Sequence, residues 1–204
     1  MKLTKTKDNS YTFFNEEYNE AYHSLTGALE EAQKKYIEPL EVQDGDVILD
    51  ICFGLGYNTF AAIQNAKNLK IIALEKDEQI LQELQHLDIG GKYAIMKKLA
   101  KEKYYKDENY DITIIMGAAE QTLKKINTKF DKVFLDPFSP KKNPELWTKE
   151  FFQEIYRVMK PGAKLATYSC ARIVRDNLKA VGFFVKDGPK VGRRGPSTNA
   201  IKPF

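Results

Sequence analysis

Residues 47–59 read VILDICFGLGYNT, and this segment decides the fold that we predict for the chain. An apolar, β-branched run leads into a Gly-x-Gly turn and then into a sequence compatible with a helix. The first strand of an α/β sheet meets a nucleotide-type ligand through this pattern. Gly54 and Gly56 allow backbone N–H groups to approach the ligand closely. The pattern alone is also compatible with a glycine-rich turn that binds nothing.

A carboxylate in the next apolar run adds a second feature of a nucleotide site. Residues 70–75 read KIIALE, so that Glu75 follows the glycines by about twenty residues, where it can hydrogen-bond both hydroxyls of a ribose. This spacing suits both NAD and S-adenosylmethionine (SAM). Thr59 stands three residues after Gly56, where a dinucleotide site has Gly or Ala for close helix packing. The sequence therefore favours SAM over NAD.

The motif Leu49-Asp50-x-x-x-Gly54-x-Gly56 resembles the first motif of the class I SAM-dependent methyltransferases. Cys52 stands where many members of that class have a further glycine. The resemblance implies an α/β, Rossmann-like fold. Its sheet would be seven-stranded and mostly parallel, with the last strand antiparallel.

The sequence after residue 46 agrees with this fold, because strand and helix patterns alternate as in a parallel sheet with right-handed crossovers. We predict strands near residues 47–51, 70–75, 111–116, 131–136, 163–169, 182–186 and 198–203. We predict helices near residues 57–67, 77–86, 93–104, 118–127, 146–159 and 172–181. Residues 41–204 would thus form one Rossmann-like methyltransferase domain, and residues 1–40 a strand and helix extension that covers the cofactor site.

The N-terminal extension carries an aromatic pattern. Residues 11–14 alternate as in a short strand, and residues 16–36 follow helical spacing until Pro39 ends the helix. Tyr22-His23-Ser24 and then Gly27 fall within this helix, although Ser, His and Gly are mediocre helix formers. We interpret this part as a bent segment that leans over the cofactor. The alternative is that the aromatic stripe only packs in the core.

Length and composition limit the class of protein. With 204 residues, of which 43% are hydrophobic, the chain can bury one core. It has no window of about 18 uncharged apolar residues for a membrane span and no apolar signal segment. We expect Cys52 and Cys170 to be reduced thiols in a cytoplasmic protein. The two histidines and their spacing predict no metal site.

Basic residues are bunched, although the net charge is only +4. Such clusters fit a polyanion such as RNA, and a surface rich in Lys and Glu of the thermophile type explains them equally well. Residues 188–196 read GPKVGRRGP, which predicts either a loop that contacts phosphate or a solvated hairpin loop. The clusters are Lys97, Lys98, Lys101, Lys103 and Lys106; Lys124 and Lys125; Lys141 and Lys142; and Lys190, Arg193 and Arg194.

A second carboxylate follows the fourth predicted strand of the sheet. Residues 134–140 read FLDPFSP, and because ligands of this fold bind outside the carboxyl ends of the strands, Asp136 would face the same crevice as Gly54. A carboxylate there can hold the N–H groups of an amine, offset its developing positive charge and help to remove a proton. Phe138 can stack on a planar base. The arrangement is similar to the Asp-Pro-Pro-Tyr motif of nucleic-acid amino-methyltransferases; alternatively, Asp-Pro only caps the strand.

Residues 134–147, FLDPFSPKKNPELW, resemble the signature Asp-x-Phe-x-Pro-x-x-Asn-Pro-x-x-Trp of the methyltransferase domain in the MnmC family. Segments within residues 12–28, 53–58 and 165–183 agree with the family in the same order. The likeness therefore covers nearly the whole chain.

Membership implies SAM-dependent N-methylation of the aminomethyl group on the wobble uridine of tRNA. The product would be 5-methylaminomethyl-uridine, often with a 2-thio group, and the partner would be the anticodon stem-loop. In two-domain members an FAD-dependent oxidase generates the amine. We expect this chain to act alone and to take the aminomethyl-uridine from a separate enzyme.

The motifs and the resemblance together assign residues to three roles. The catalytic residues are Asp136, which orients the amine, and Phe138. The cofactor-binding residues are Tyr22, Ser24, Phe53, Gly54, Gly56, Asn58, Glu75, Lys76, Ala118, Ala119 and Asp136. The residues on the substrate or tRNA side are Lys141, Asn143, Trp147, Arg193 and Arg194.

One position departs from the family, whose members have an acidic residue after the third strand to accept a hydrogen bond from the adenine amino group. Here residues 116–120 read MGAAE. If Ala118 is that position, the missing contact costs roughly 1–2 kcal/mol, or about tenfold in affinity, unless the backbone or Glu120 substitutes for it. Two other functions stay open at this point: a methyl- or aminopropyl-transferase acting on a small amine, and a non-catalytic RNA-binding relative.

Overall fold

A computed structural model describes residues 1–87, 89–192 and 195–204. The strands are β1 (Lys2–Lys5), β2 (Tyr11–Asn15), β3 (Glu20–Ala21), β4 (Val47–Ile51), β5 (Leu69–Glu75), β6 (Tyr104–Lys106), β7 (Tyr110–Met116), β8 (Phe130–Leu135), β9 (Met159–Thr167), β10 (Phe184–Asp187) and β11 (Thr198–Ile201). The helices are α1 (Ala28–Ala32), α2 (Glu38–Leu40), α3 (Tyr57–Asn65), α4 (Glu78–His86), α5 (Tyr93–Glu102), α6 (Ala119–Thr122), α7 (Lys149–Val158) and α8 (Arg172–Val181). A π-helical turn, Gln33–Ile37, joins α1 to α2.

The described strands form two sheets. β1, β2 and β3 make a small antiparallel sheet, and the other strands make one sheet in the order β10-β11-β9-β8-β4-β5-β7-β6. Strands β9, β8, β4, β5 and β7 are parallel, whereas the last strand, β11, is antiparallel to both of its neighbours. The predicted α/β fold with a mostly parallel sheet and an antiparallel last strand is confirmed. The described sheet has eight strands instead of the predicted seven.

The additional strand is β6, which the sequence analysis placed at the end of a helix over 93–104. Helix α5 ends at Glu102, because Lys103 adopts a left-handed φ of 61° and turns the chain. Tyr104 then pairs with Thr113 at the edge of β7 in antiparallel register. Pairing with an available sheet edge outweighs the continuation of a weak helical pattern.

The N-terminal helix begins later than predicted. Residues 16–19 form turns, β3 follows, and residues 22–23 form a bend. The helix starts only after Gly27, whose φ is 157°, and it ends at Leu40, where Glu41 becomes left-handed. The prediction of one helix over 16–36 is therefore wrong in its first half. The poor helix formers at 22–24 and 27 explain the difference, because here they stand in turns and at the start of the helix.

Both faces of the central sheet are covered by helices. Ile48 packs with buried side chains of α3, α4 and α5 on one face, whereas Leu49 and Ile51 pack with those of α7 and α8 on the other. The carboxyl ends of the parallel strands therefore meet at one edge of the sheet, between the two helical layers. Among the described residues, the helices are too short or too polar to cross a membrane.

Candidate functional site

A cavity of about 1000 Å³ opens at the carboxyl ends of the central strands. Its size lies at the upper end of the range for small-molecule sites, so that it has room for a cofactor and part of a substrate. The N-terminal segment, the glycine turn after β4, the end of β5, the turn after β7 and the loop after β8 all contribute to its walls. Residues in these walls include Glu20, Tyr22, His23, Ser24, Glu31, Cys52, Gly54, Glu75, Lys76, Gly117, Ala119, Glu120, Asp136, Phe138 and Asn143.

The glycine turn after β4 takes left-handed backbone angles at alternate positions. Gly54 and Gly56 have φ values of 55° and 72°. A Cβ atom on Gly56 would lie 2.5 Å from Cζ of Phe53, so no larger residue fits there without displacing that ring. Cys52 is also left-handed, with φ 69°, and a residue with a side chain pays about 1–2 kcal/mol for this conformation. Gly56 thus makes room for the Phe53 ring, and Gly54 brings its backbone to the wall of the cavity.

Glu75, at the end of β5, ties this turn to the next helix. Its Oε2 atom accepts a hydrogen bond from the Gly54 N–H at 2.8 Å. Its Oε1 atom accepts those of Lys76 and Asp77, each at 2.8 Å. Burial raises the pKa of Glu75 above its ordinary value. Because a carboxylate offers about four lone-pair positions, the three backbone bonds orient Glu75 and leave it an acceptor position for a ligand hydroxyl.

Asp136, directly after β8, is held at both of its oxygens. The Tyr36 hydroxyl donates to Oδ1 at 2.6 Å, and the Asn58 amide donates to Oδ2 at 3.0 Å. Burial, with a smaller contribution from the Glu31 carboxylate, raises the pKa of Asp136 to about 6. At neutral pH the group is therefore mostly ionised and close to its titration range, which suits a residue that accepts a proton.

An aromatic cluster lies beside Asp136. Phe138 stacks on Tyr18 with a centroid separation of 4.5 Å and an interplanar angle of 18°, and Tyr22 meets Phe138 edge-on at 5.0 Å. The Lys76 ammonium lies 5.2 Å from the centre of the Tyr18 ring. The arrangement offers planar faces and a cation for a planar, electron-rich substrate group. Tyr18 is absent from the predicted site residues, because it stands within the predicted helix and belongs to no motif.

The N-terminal segment is fastened to the loop after β8. Glu20 accepts hydrogen bonds from the Ser139 backbone N–H at 2.9 Å and from the Ser139 hydroxyl. Tyr22 donates its hydroxyl to Asp77, which caps α4. The first part of the chain therefore forms one wall of the cavity.

Trp147, Asn143 and Lys141, which were predicted on the substrate side, lie on or against the loop after β8. Trp147 is only 2% exposed and lies outside the cavity walls, with its Nε1–H donating to the Phe138 carbonyl at 2.9 Å. Through this hydrogen bond Trp147 holds the backbone of Phe138 in place. Asn143 is buried at the cavity and donates its backbone N–H to Ser139 at 2.9 Å, whereas Lys141 is exposed on the same loop.

The predicted cofactor-binding residues fall into two groups. Those in the cavity walls are Tyr22, Ser24, Gly54, Glu75, Lys76, Ala119 and Asp136. Those adjoining the walls without lining the cavity are Phe53, Gly56, Asn58 and Ala118. Glu120, further along the turn that contains Ala118, does line the cavity and offers the carboxylate that Ala118 lacks. The predicted tRNA residues Arg193 and Arg194 lie outside the described residues.

Thr59 is the residue whose position in the sequence favours SAM over NAD. In the structure its side chain forms a hydrogen bond with Asp50. Its hydroxyl donates to Oδ2 of Asp50 at 2.7 Å, and both side chains are fully buried. The other oxygen of Asp50 has no partner among the described residues. Burial raises the pKa of Asp50 to about 8. Asp50 is therefore mostly protonated at neutral pH and does not add negative charge to the site.

His23 contributes a neutral imidazole to the cavity wall. Burial lowers its pKa to about 4. The ring meets that of Tyr57 edge-on at 4.9 Å, and its buried Nε2 atom has no partner among the described residues. Within the same described part of the chain, no group of His, Cys, Asp and Glu side chains is arranged to hold a metal ion.

A family model of S-adenosyl-L-methionine-dependent methyltransferases matches residues 79–203, which is more than half of the chain. An uncharacterized protein of Methanocaldococcus jannaschii is 36% identical over 210 residues, which cover 98% of this chain and 59% of that protein. A protein of Ralstonia nicotianae named tRNA 5-methylaminomethyl-2-thiouridine biosynthesis bifunctional protein MnmC is 29% identical over 217 residues, which cover 94% of this chain and 33% of that protein. The chain thus spans 59% of the first relative's length and a third of the second's.

The crystal structure of MNMC2 from Aquifex aeolicus resembles this chain over its full length. The TM-score is 0.82, the sequences are 30% identical, and the match covers 100% of this chain and 72% of the other. The match includes the N-terminal strands and α1, together with the central sheet. The wall that the N-terminal segment adds to the cavity thus lies within a region shared with a solved structure.

Proposed function

Because this chain belongs to the family of S-adenosyl-L-methionine-dependent methyltransferases, we propose that it methylates the aminomethyl nitrogen of 5-aminomethyl-(2-thio)uridine at the tRNA wobble position. The product is 5-methylaminomethyl-(2-thio)uridine. The observation that carries the proposal is Asp136, a carboxylate with both oxygens oriented, which lies beside the planar face of Phe138. The names of the bifunctional relatives, which match almost the whole chain, support it.

The volume of the cavity and the polar groups in its walls support SAM as the cofactor bound there. We assign the ribose hydroxyls to Glu75, whose orientation the backbone fixes, and the adenine to the wall that contains Lys76, Ala119 and Glu120. Tyr22 and Ser24 cover the opposite side. When bound, SAM supplies a methyl group on a sulfonium, which the amine nitrogen takes as the sulfur–methyl bond breaks.

In this proposal Asp136 accepts the proton that the substrate ammonium group must lose. An alkylamine is largely an ammonium ion at neutral pH, and its nitrogen has no free lone pair until a proton leaves. The carboxylate of Asp136 binds the N–H groups, accepts one proton and keeps the nitrogen turned toward the cofactor. Its pKa of about 6 lets it return that proton to solvent between turnovers. Phe138 holds the base by stacking.

The macromolecular side of the substrate lies outside the cavity. Lys141 is exposed next to the mouth, and with Arg193 and Arg194 we assign it to the phosphates of the anticodon stem-loop. Asn143 lies at the cavity wall, within reach of the nucleotide. A substrate of this kind places the protein in the cytoplasm, with a separate enzyme supplying the aminomethyl-uridine.

The test is nucleoside mass spectrometry on tRNA that carries 5-aminomethyl-uridine, incubated with the protein and SAM. We expect one methyl group to appear on that nucleoside. Asp136→Asn should lower turnover at least a hundredfold, because general base catalysis contributes about 10²–10⁴, while SAM affinity measured by calorimetry stays within about threefold. Asp111→Asn, at the opposite end of the sheet, is the matched control and should change neither quantity.

Three outcomes would contradict the proposal. If SAM binds and only small diamines are methylated, or receive an aminopropyl group from decarboxylated SAM, the substrate is a small amine. If the protein binds RNA but not SAM, it is a non-catalytic relative. If Asp136→Asn retains full turnover, the role of Asp136 is wrong.

A further inference from the structure

Tyr36 lies behind Asp136, on a part of the chain whose sequence predicts only a hydrophobic helix stripe. The side chain is fully buried, and its ring packs edge-on against Phe134 with a centroid separation of 5.9 Å. Its hydroxyl donates to Oδ1 of Asp136 at 2.6 Å, across 100 positions of sequence. Core packing alone would be served by phenylalanine. The hydroxyl is the part of Tyr36 that has a partner in the site.

The position of this hydroxyl depends on the π-helical turn Gln33–Ile37. A π turn widens the helix by one residue and shifts the side chains that follow, and such turns occur frequently at functional sites. Here Lys35, Tyr36 and Ile37 of the turn are all buried, and the hydroxyl of Tyr36 reaches Asp136.

The Tyr36 hydroxyl acts on Asp136 as a hydrogen-bond donor. Burial keeps the pKa of Tyr36 well above its ordinary value, so the group remains protonated and donates. A hydrogen bond donated to a carboxylate favours the charged form. Asn58 holds the second oxygen from the other side. The two donors together fix the plane of the Asp136 carboxylate.

We infer that Tyr36 is a positioning residue for methyl transfer, whose hydroxyl keeps the Asp136 carboxylate ionised and turned toward the amine. The inference rests on the proposed role of Asp136. Nothing in the motifs assigns Tyr36 to the site, and its contact with Asp136 is visible only in the folded chain.

Other charged groups also act on Asp136 and remain in place when Tyr36 is changed. The Glu31 carboxylate raises the pKa of Asp136, while the ammonium of Lys35, which is paired with Glu31, lowers it. The titratable groups that face Asp136 and its surroundings are Glu31 and Lys35 on the N-terminal helical segment, Asp50 on β4, Cys52 in the glycine turn, Glu75 on β5 and Tyr168 after β9. A change confined to the Tyr36 hydroxyl therefore isolates its contribution.

The first experiment measures the Asp136 titration directly by NMR. Protein labelled with ¹³C at the aspartate carboxyl carbons is titrated with acid, and Asp136→Asn identifies the signal. In Tyr36→Phe the midpoint should rise by about one pH unit, since a hydrogen bond to a charged group contributes about that much. Tyr110→Phe is the matched control: it removes another buried phenol hydroxyl, one that donates to Ile63 at 2.9 Å, and should leave the midpoint unchanged.

The second experiment is the pH profile of methyl transfer. Activity should fall at low pH as Asp136 takes up a proton, and Tyr36→Phe should move this acidic limb upward by the same amount as the NMR midpoint. The rate should therefore drop about twofold at pH 7 and about fivefold at pH 6 and recover at pH 9, with KM for SAM unchanged. A structural defect would lower the rate at every pH.

The outcomes separate this inference from the proposed function. An unchanged midpoint and an unchanged acidic limb in a folded Tyr36→Phe protein would overturn the role of Tyr36, even if tRNA is methylated. A shifted NMR midpoint without methylation of tRNA by the wild-type protein would support the positioning contact and overturn the substrate. Thermal melts of both phenylalanine variants establish that each is folded, and the NMR measurement needs no activity.

Discussion

Asp50 and Asp136 are neighbouring carboxylates with different surroundings: Asp50 is fully buried, and Asp136 is half-buried at the cavity. Asp136 has a donor from a different residue on each oxygen, whereas one oxygen of Asp50 has no partner among the described residues. Burial raises the pKa of both groups, to about 6 for Asp136 and to about 8 for Asp50. At pH 7 one is mostly charged and the other mostly neutral. A pair of carboxylates separated in this way supplies one proton acceptor without a second adjacent negative charge.

The neutral state of Asp50 predicts a dependence of stability on pH. In the unfolded chain Asp50 loses its proton near pH 3.9, whereas in the folded chain it keeps the proton until about pH 8. Between these values the folded state binds more protons, so the contribution of Asp50 to the unfolding free energy falls as pH rises. In Asp50→Asn the amide oxygen can still accept the hydrogen bond of the Thr59 hydroxyl. The substitution should therefore remove this loss of unfolding free energy at higher pH.

The measurement is urea unfolding of both proteins at pH 5 and pH 8.5. The unfolding free energy of Asp50→Asn, relative to wild type, should be higher at pH 8.5 than at pH 5 by at least about 1.4 kcal/mol, the value of one pKa unit. Asp131→Asn, at a carboxylate paired with Lys160 near the surface, is the control. Equal differences at both pH values would mean that Asp50 is ionised in the folded protein.

The N-terminal strands act as a unit through a small number of contacts with the site. β3 presents Glu20 to the loop after β8, where the carboxylate accepts two hydrogen bonds from Ser139. The turn before β3 places Tyr18 on the face of Phe138. Trp147 supports the same loop by donating its Nε1–H to the Phe138 carbonyl. The aromatic face of the site is therefore held between two elements that are distant in sequence.

Glu20→Ala should release this contact without unfolding the central sheet. Hydrogen bonds to a charged group contribute about 1.5–3 kcal/mol, so amide protection in β3 and at Ser139 should fall by about tenfold or more. Hydrogen exchange followed by mass spectrometry measures this, and the β10–β11 hairpin serves as an internal reference. Glu17→Ala, at an exposed glutamate of the same turn, is the matched control. Unchanged protection at Ser139 would refute the role of Glu20.

Sequence predicted the elements of the central sheet better than those of the N-terminal region. Strands β4, β5, β7 and β8 agree with their predicted positions within about a residue, because each is a short apolar run bounded by turn residues. The prediction of a helix over residues 16–36 is wrong in its first half because aromatic side chains recur there at helical spacing, although these residues lie in turns and a strand. Strand β6 was missed because it exists through pairing with β7.

At the scale of the whole molecule, cofactor binding should stabilise the fold. The walls of the cavity come from the N-terminal segment, from the glycine turn after β4, from the end of β5, and from the segments after β7 and β8, so a ligand bound there links them. A ligand at a hundred times its Kd adds about 2.7 kcal/mol to the unfolding free energy. Glu75 connects β5, the glycine turn and the start of α4.

Glu75→Gln should therefore lose the stabilisation by SAM. A SAM concentration that raises the Tm of wild type should leave that of Glu75→Gln unchanged, because an amide presents N–H groups where the backbone and the ribose need acceptors. Differential scanning calorimetry with and without SAM measures the effect. Asp136→Asn, which leaves the ribose contact intact, should keep the shift. A full shift in Glu75→Gln would place the ribose elsewhere.

The sequence by itself determined the α/β fold, the glycine turn, Glu75 and Asp136. Each of these depends on a local pattern: an apolar run, a Gly-x-Gly spacing, or a carboxylate at the end of a strand. Only the tertiary structure decided that Tyr36 holds Asp136, that Glu20 holds Ser139 and that Trp147 donates to the Phe138 carbonyl. The first two contacts join residues 100 or more positions apart, and in all three the partner is set by how the elements pack, which leaves no periodic signal in the chain.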